Sequence, residues 1–136
     1  MSFGAFEFTL RSGAIPGAGT YNGDAVQLRQ MHGLSVEANF VQGTDGTSVT
    51  CYVQTSVDGG SNWIDVMSFQ FTTTTARKVG TVRYNLTSGG VITPADGSLT
   101  ANTVQDGVVG PLVRLKTVVV GTYTNGSLSV KGNALS

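Results

Sequence analysis

Apolar and polar residues alternate along most of this chain with a period of two, the mark of strands that bury one face. Leu34, Val36, Ala38 and Phe40 alternate with Ser35, Glu37 and Asn39, which predicts a half-buried strand. Val49, Cys51 and Val53 do the same against Thr50, Tyr52 and Gln54. Further on, Ile64 and Val66 share one parity while Met67, Phe69 and Phe71 take the other. A one-residue shift moves every side chain to the opposite face, so a β-bulge or a crossing between sheets is expected near Val66–Ser68. Val113, Leu115, Thr117 and Val119 form another set, and Leu128 and Val130 close the last strand. The expected core is Leu34, Val36, Phe40, Val49, Cys51, Val53, Phe69, Phe71, Val113, Leu115, Leu128 and Val130.

Weaker strands are expected at Gly4–Leu10, Val26–Gln30 and Val82–Tyr84. Asp45-Gly46 carries the hairpin signal, and Asn125-Gly126 marks a turn. Two stretches break the pattern. Residues 11–23, RSGAIPGAGTYNG, have no period and read as a surface loop or a flexible arm behind the first strand. Residues 87–111 are a long run of turn formers with scattered valines, a length that in compact domains tends to carry function. Val91-Ile92 and Val108-Val109 are expected as short edge strands flanking it. Short strands at this spacing predict one all-β domain over residues 1–136, an antiparallel two-sheet β-sandwich or jelly roll, with an open barrel as the rival.

Composition supports this reading. Glycine supplies 19 of 136 residues and charged residues only 12%, against roughly 25% in ordinary domains. That excludes coiled coils and charge-driven disorder. Formal net charge is zero, which argues against a strongly basic nucleic-acid binder. The zero hides an asymmetry. Residues 1–68 carry six acids and two bases, a net −4, and residues 69–136 carry two acids and six bases, a net +4. The charges mix if early and late strands interleave; otherwise the surface is bipolar and steers copies together. The lone Cys51 reads as a small buried hydrophobe. MSFGAFEFTL lacks the features of a signal peptide, and no apolar run is long enough to span a membrane. A protein made in a cytoplasm, with no membrane partner, is expected.

Candidate chemistry is sparse. Ser56-Val57-Asp58-Gly59-Gly60-Ser61-Asn62-Trp63 resembles the Asp box, S-x-D-x-G-x-T-W, with Asn62 at the Thr position. Asp58 is placed to accept turn amides, Gly60 to take positive φ, and Trp63 to pack under the loop. The expected role of Ser56, Asp58, Gly60 and Trp63 is structural. Rival roles are sugar stacking on Trp63 and calcium held by Asp58, Asn62 and Asp65. The one histidine, His32, has no nucleophile signature to work with. Zinc would need more His and Cys than the two present. No catalytic residue, metal site or cofactor is expected.

SVTCYVQTSVDGGSNWIDVMSFQFTT and PLVRLKTVVVGTYTNGSLSVKG together resemble small β-sandwich virion proteins of tailed bacteriophages and related gene-transfer particles. In these a strand V-x-T-S-x-D-G-G-x-x-W-x-D-V is followed by a C-terminal hairpin. Residues 1–33 and 87–111 lie outside the resemblance. It implies a non-enzymatic virion structural protein, a capsid decoration or head-spike base subunit, or a neck or tail component. Such a protein assembles as an oligomer, with its own copies and the major capsid protein as partners. Assembly contacts are expected at the apolar residues of the arm and the long loop: Phe3, Phe6, Phe8, Ile15, Val91, Ile92, Val108 and Val109. The alternative from another class is a carbohydrate-binding module, stacking sugars on Trp63, Tyr21, Tyr52, Tyr84 or Tyr123. A stacking aromatic has to be exposed and flanked by polar groups.

Overall fold

The computed structural model describes residues 6–84 and 91–135. Its elements are all strands: β1 (Phe6–Ala14), β2 (Gly19–Asn22), β3 (Val26–Gln27), β4 (Gly33–Val41), β5 (Thr44–Asp45), β6 (Ser48–Ser56), β7 (Ile64–Phe71), β8 (Ala76–Arg83), β9 (Leu112–Val120), β10 (Tyr123–Thr124) and β11 (Ser127–Leu135). Among the described residues no helix is long and apolar enough to cross a membrane. One of the two large sheets, A, has the order β1-β11-β4-β8, and the other, B, has β2-β9-β6-β7, with β3 also on β9; a small third ladder pairs β10 with β5. β2 and β3 pair with successive parts of β9 and act as one interrupted strand. Taking them together and setting aside the two-residue β5 and β10, the strands fall in the order 1-8-3-6 over 2-7-4-5. That is the double Greek key of a jelly roll.

All twelve expected core residues are buried, at 5% exposure or less. They lie between the sheets, joined by Leu28, Met31, Ala38, Val66, Met67, Val82 and others. Phe40 stacks on Phe71 with centroids 4.9 Å apart, and the edge of Tyr123 meets Phe40 at 5.5 Å. Burial pushes the Cys51 thiol up to about 12, against the opposing charge of Arg11. The parity flip is a bulge. Val53 faces Met67 and Gln54 faces Asp65, so Val66 is the extra residue on β7.

Glycines fit the core where two bulky side chains would collide. Phe8, Gly132, Val36 and Gly80 form one row across sheet A. A Cβ on Gly132 would run into the Phe8 ring, and one on Gly80 would meet Met67 Sδ at 3.1 Å and Phe69 Cζ at 3.3 Å.

Several expectations are corrected. The first strand runs on to Ala14, pairing with β11 through a register shift between Thr9 and Arg11. Residues 19–22 form β2, so the expected arm is mostly strand. Val26–Gln30 shrinks to Val26–Gln27, because Arg29 and Gln30 adopt positive φ (53° and 64°). Asp45 and Gly46 do take the positive φ values of a tight turn, 63° and 85°. Their turn nevertheless crosses between sheets, since β4 lies in A and β6 in B. β9 and β11 likewise sit in different sheets and form no hairpin. Neither Val91-Ile92 nor Val108-Val109 is in a strand; the long loop instead bridges to β7 at Val104. Interleaving of early and late strands also mixes the charges. Lys131 stands opposite Glu37 on neighbouring strands, and Arg77 lies 3.9 Å from Glu37. The bipolar reading gives way.

Candidate functional site

The Asp-box segment is the turn of the β6–β7 hairpin. Ser56, the last residue of β6, is fully buried. Its hydroxyl donates to Asp58 Oδ1 at 2.8 Å and accepts the Gly60 amide at 2.9 Å. Asp58 Oδ1 also accepts the Asn62 amide at 2.9 Å, and Oδ2 accepts Asn62 Nδ2 at 2.8 Å. Asn62, where the motif carries Thr, thus adds a side-chain bond of its own. Gly59 and Gly60 hold φ values of 77° and 95°, a region that costs an L residue strain. The Asn62 amide, then the Asn62 side chain and the Ser56 hydroxyl, favour the charged carboxylate and hold Asp58 down at about 2.

Trp63 is half-buried, and the Arg114 guanidinium sits 4.4 Å from its ring centroid, within cation–π range. From Arg114 a polar chain runs across the outer face of sheet B. Asp65, Gln54 and Arg114 occupy one cross-strand row on β7, β6 and β9. Arg114 Nε donates to Gln54 Oε1 at 2.8 Å. Gln54 Nε2 donates to Asp65 Oδ1 at 2.8 Å and to Asp96 Oδ1 at 2.7 Å. Lys116 Nζ bonds Asp96 Oδ1 at 3.0 Å. The Gln54 bond, then the Lys116 bond, lowers the Asp96 carboxyl from its ordinary value.

Asp65 is 1% exposed. Its carboxylate collects the amides of Gly97 (2.8 Å to Oδ2), Ser98 (2.9 Å) and Leu99 (3.1 Å), while its own amide donates to Ala95 at 2.7 Å. A nest of consecutive N–H groups is an anion cradle, and here a carboxylate of the same chain fills it. The long loop is thereby fastened along β7. It continues with Ser68 N–H to Thr103 C=O at 3.0 Å and Gln105 N–H to Val66 C=O at 2.8 Å.

The structural role expected of Ser56, Asp58, Gly60 and Trp63 fits this geometry. The calcium trio does not come together: Asp58 is bonded to Asn62 and Ser56, and Asp65 is sealed under the loop. Among the described residues no three His, Cys, Asp or Glu are grouped for a metal. His32 is exposed and packs on Tyr84, centroids 4.7 Å apart.

The residues expected at assembly contacts are scattered. Phe3 lies outside the described residues. Ile15 is 8% exposed and belongs to the core. Phe6 and Phe8 turn inward from β1 and pack against that core, as do Val108 and Val109 from the long loop. Ile92 is half-buried, and Val91 is fully exposed. Of the proposed sugar platforms, Tyr123 is buried, its hydroxyl bonded to Thr72 C=O. Tyr21 and Tyr84 are exposed, and Tyr52 is half-buried.

Sequence reasoning missed the Gln54–Asp65–Asp96–Arg114 network. The one signal was Asp65 itself, a carboxylate between Ile64 and Val66. A lone acid inside an apolar strand needs partners if it is buried. Fold and site together define a jelly-roll domain whose longest loop is latched by a buried carboxylate. No protein-family model, curated protein or solved structure matches the chain.

Proposed function

We propose that this chain is a non-enzymatic structural protein of a virion, a capsid decoration or head-spike base subunit that assembles with its own copies and with capsid protein. One observation carries the reading. The loop whose length marked it as functional is fastened to the sheet by Asp65, and the polar side chains near the Asp box engage one another. That arrangement stiffens a building block, whereas catalysis needs acid, base or nucleophile groups converging on open space. The resemblance of the β6–β7 segment to phage virion proteins points the same way, while β9 and β11 depart from the C-terminal hairpin of that pattern. Jelly rolls serve as capsid domains, though the fold alone does not assign a role. Modest affinity per copy suffices on a lattice, because avidity multiplies it. Such a protein is made in the host cytoplasm and resides in the particle. The test is immunogold labelling of particles purified from cells carrying a tagged copy of the gene. Gold at regular sites on heads is the expected result, and particles free of label count against the assignment.

A second reading, a carbohydrate-binding module, has one observation in its favour. Trp63, Ile64 and Pro94 line an open cleft of about 460 Å³ together with Asp58, Asn62 and Asp96. An aromatic wall beside carboxylates and an amide is what a sugar needs. Binding on a glycan array that is lost in Trp63→Ala, with particles unlabelled, favours this reading over the first.

A further inference from the structure

The strand edges of this sandwich are treated unequally. On β7 the edge is covered by residues 95–105 through the Asp65, Ser68 and Gln105 bonds. On β1 the edge is interrupted by the register shift before Arg11, whose Nη2 caps Ala14 C=O at 2.8 Å. β2 is only Gly19–Asn22. Bulges, short strands and covering loops are the usual protections against edge-to-edge pairing.

β8 differs. The Tyr84 amide donates to His32 C=O at 3.0 Å, so that pair is hydrogen-bonded, and bonded pairs recur at every second residue of an antiparallel ladder. Val82, Gly80, Lys78 and Ala76 therefore point their backbone groups at β4. Arg77, Val79, Thr81 and Arg83 point theirs away. Arg83 is satisfied by the long loop: its amide donates to Asp106 Oδ1 at 3.3 Å, and its carbonyl accepts the Gly107 amide at 3.0 Å. Among the described residues, the amides and carbonyls of Arg77, Val79 and Thr81 have no protein partner. All three side chains are exposed, Val79 at 63%. A groove of about 340 Å³ separates Val79 from Val104, itself 39% exposed. The cation Lys78 is drawn inward, its ammonium on Gln70 C=O at 2.6 Å and Asn102 Oδ1 at 2.8 Å, so it does not guard the edge.

We propose that this edge receives β8 of a second copy of the chain, antiparallel about a two-fold axis through Val79, joining two A sheets into one. The sequence is self-complementary in that register. Val79 faces Val79 of the second copy and Arg77 faces Thr81, and the new ladder ends there because Asp106 and Gly107 already hold the edge at Arg83. No two like charges stand opposite each other, which is the condition favourable cross-strand pairs require. An isologous contact of this kind closes as a dimer. It goes beyond the particle assignment and stands apart from it: self-association is read in solution, without any particle.

The test is sedimentation of the full chain over a range of concentrations, paired with amide hydrogen exchange. A concentration-dependent dimer is expected, with the Arg77, Val79 and Thr81 amides exchanging at least tenfold more slowly in the dimer. Val79→Pro removes an N–H that the monomer does not use, so it should melt within a few degrees of the parent and sediment as a monomer. The proposal is overturned by a parent chain that stays monomeric at high concentration. It is equally overturned by Val79 and Thr81 amides whose exchange ignores concentration, or by a folded Val79→Pro that still dimerises. Loss of particle labelling with the dimer intact would instead strike only the virion reading.

Discussion

Asp58 holds its turn through charge, and pH should reveal it. The group is exposed, yet the Asn62 amide, the Asn62 side chain and the Ser56 hydroxyl keep its carboxyl at about 2, below an ordinary 3.8. A group whose folded value is depressed stabilises the fold above its unfolded value and loses that contribution as pH falls through the folded value. The contribution is therefore complete above about pH 4 and fades towards pH 2. Thermal melts of the parent and Asp58→Asn from pH 7 to pH 2 should converge as the acid is approached, with the gap widest at neutral pH. A gap that stays constant to pH 2 would show that the carboxylate charge is not what holds the turn. Phe69 tests the core in the same way at a buried position. It is 5% exposed and packs beside the space that Gly80 leaves open. Phe69→Ala should cost roughly 3–5 kcal/mol in chemical denaturation, as large-to-small core changes do. A loss below about 1 kcal/mol would mean that the site collapses around the gap.

At the scale of elements, the long loop behaves as a strap held by one carboxylate. Asp65→Asn replaces an acceptor of several amides by a group that has donors of its own. The Gly97, Ser98 and Leu99 amides then lose charge-assisted partners, at a cost of about 3 kcal/mol. Hydrogen exchange in residues 95–105 should rise with it, while β9 and β11 stay protected. Uniform loss of protection would make the loop part of the global unfolding unit. Period-two alternation made the core faces legible, as well as the Val66 bulge, because both are local properties of a strand. It could not reveal partners. Asp45-Gly46 has hairpin residues and hairpin dihedrals, but which sheet receives the next strand is decided by contacts far along the chain. The same blindness hid β1 beyond Leu10. Arg11 to Ala14 have no apolar period, and they are strand because Val130 to Ser127 of β11 offer an edge to pair with. Gln54 was hidden for a related reason, since its parity reads as a solvated face until residues 95–99 of the loop lie over it.

For the whole molecule, the interleaving of early and late strands decides how assembly can be probed. Glu37, an early acid, lies against Arg77 and opposite Lys131, two late bases, so at these strands the two halves of the chain offset each other's charge and leave less for salt to screen. Association should accordingly depend weakly on ionic strength. Removing residues 1–12 is a tempting way to strip an assembly arm, but it would remove most of an edge strand, β1. Phe6, Phe8 and Leu10 pack against the core from β1, the Arg29 guanidinium lies 5.1 Å from the Phe6 ring centroid, and β11 would lose its partner along most of that side. Each half-buried phenylalanine contributes about 1–2 kcal/mol by area, and the exposed β11 edge invites aggregation. The truncated chain should melt many degrees lower and scatter light on standing, so its failure to decorate particles would say nothing about contacts. Val91→Asp is the cleaner probe. Val91 is fully exposed, and surface changes of this kind usually stay within about 0.5 kcal/mol. An unchanged melt with weakened particle labelling would place residue 91 in the contact. A 1–12 deletion that melts within a few degrees of the parent would return β1 to the role of a dispensable arm.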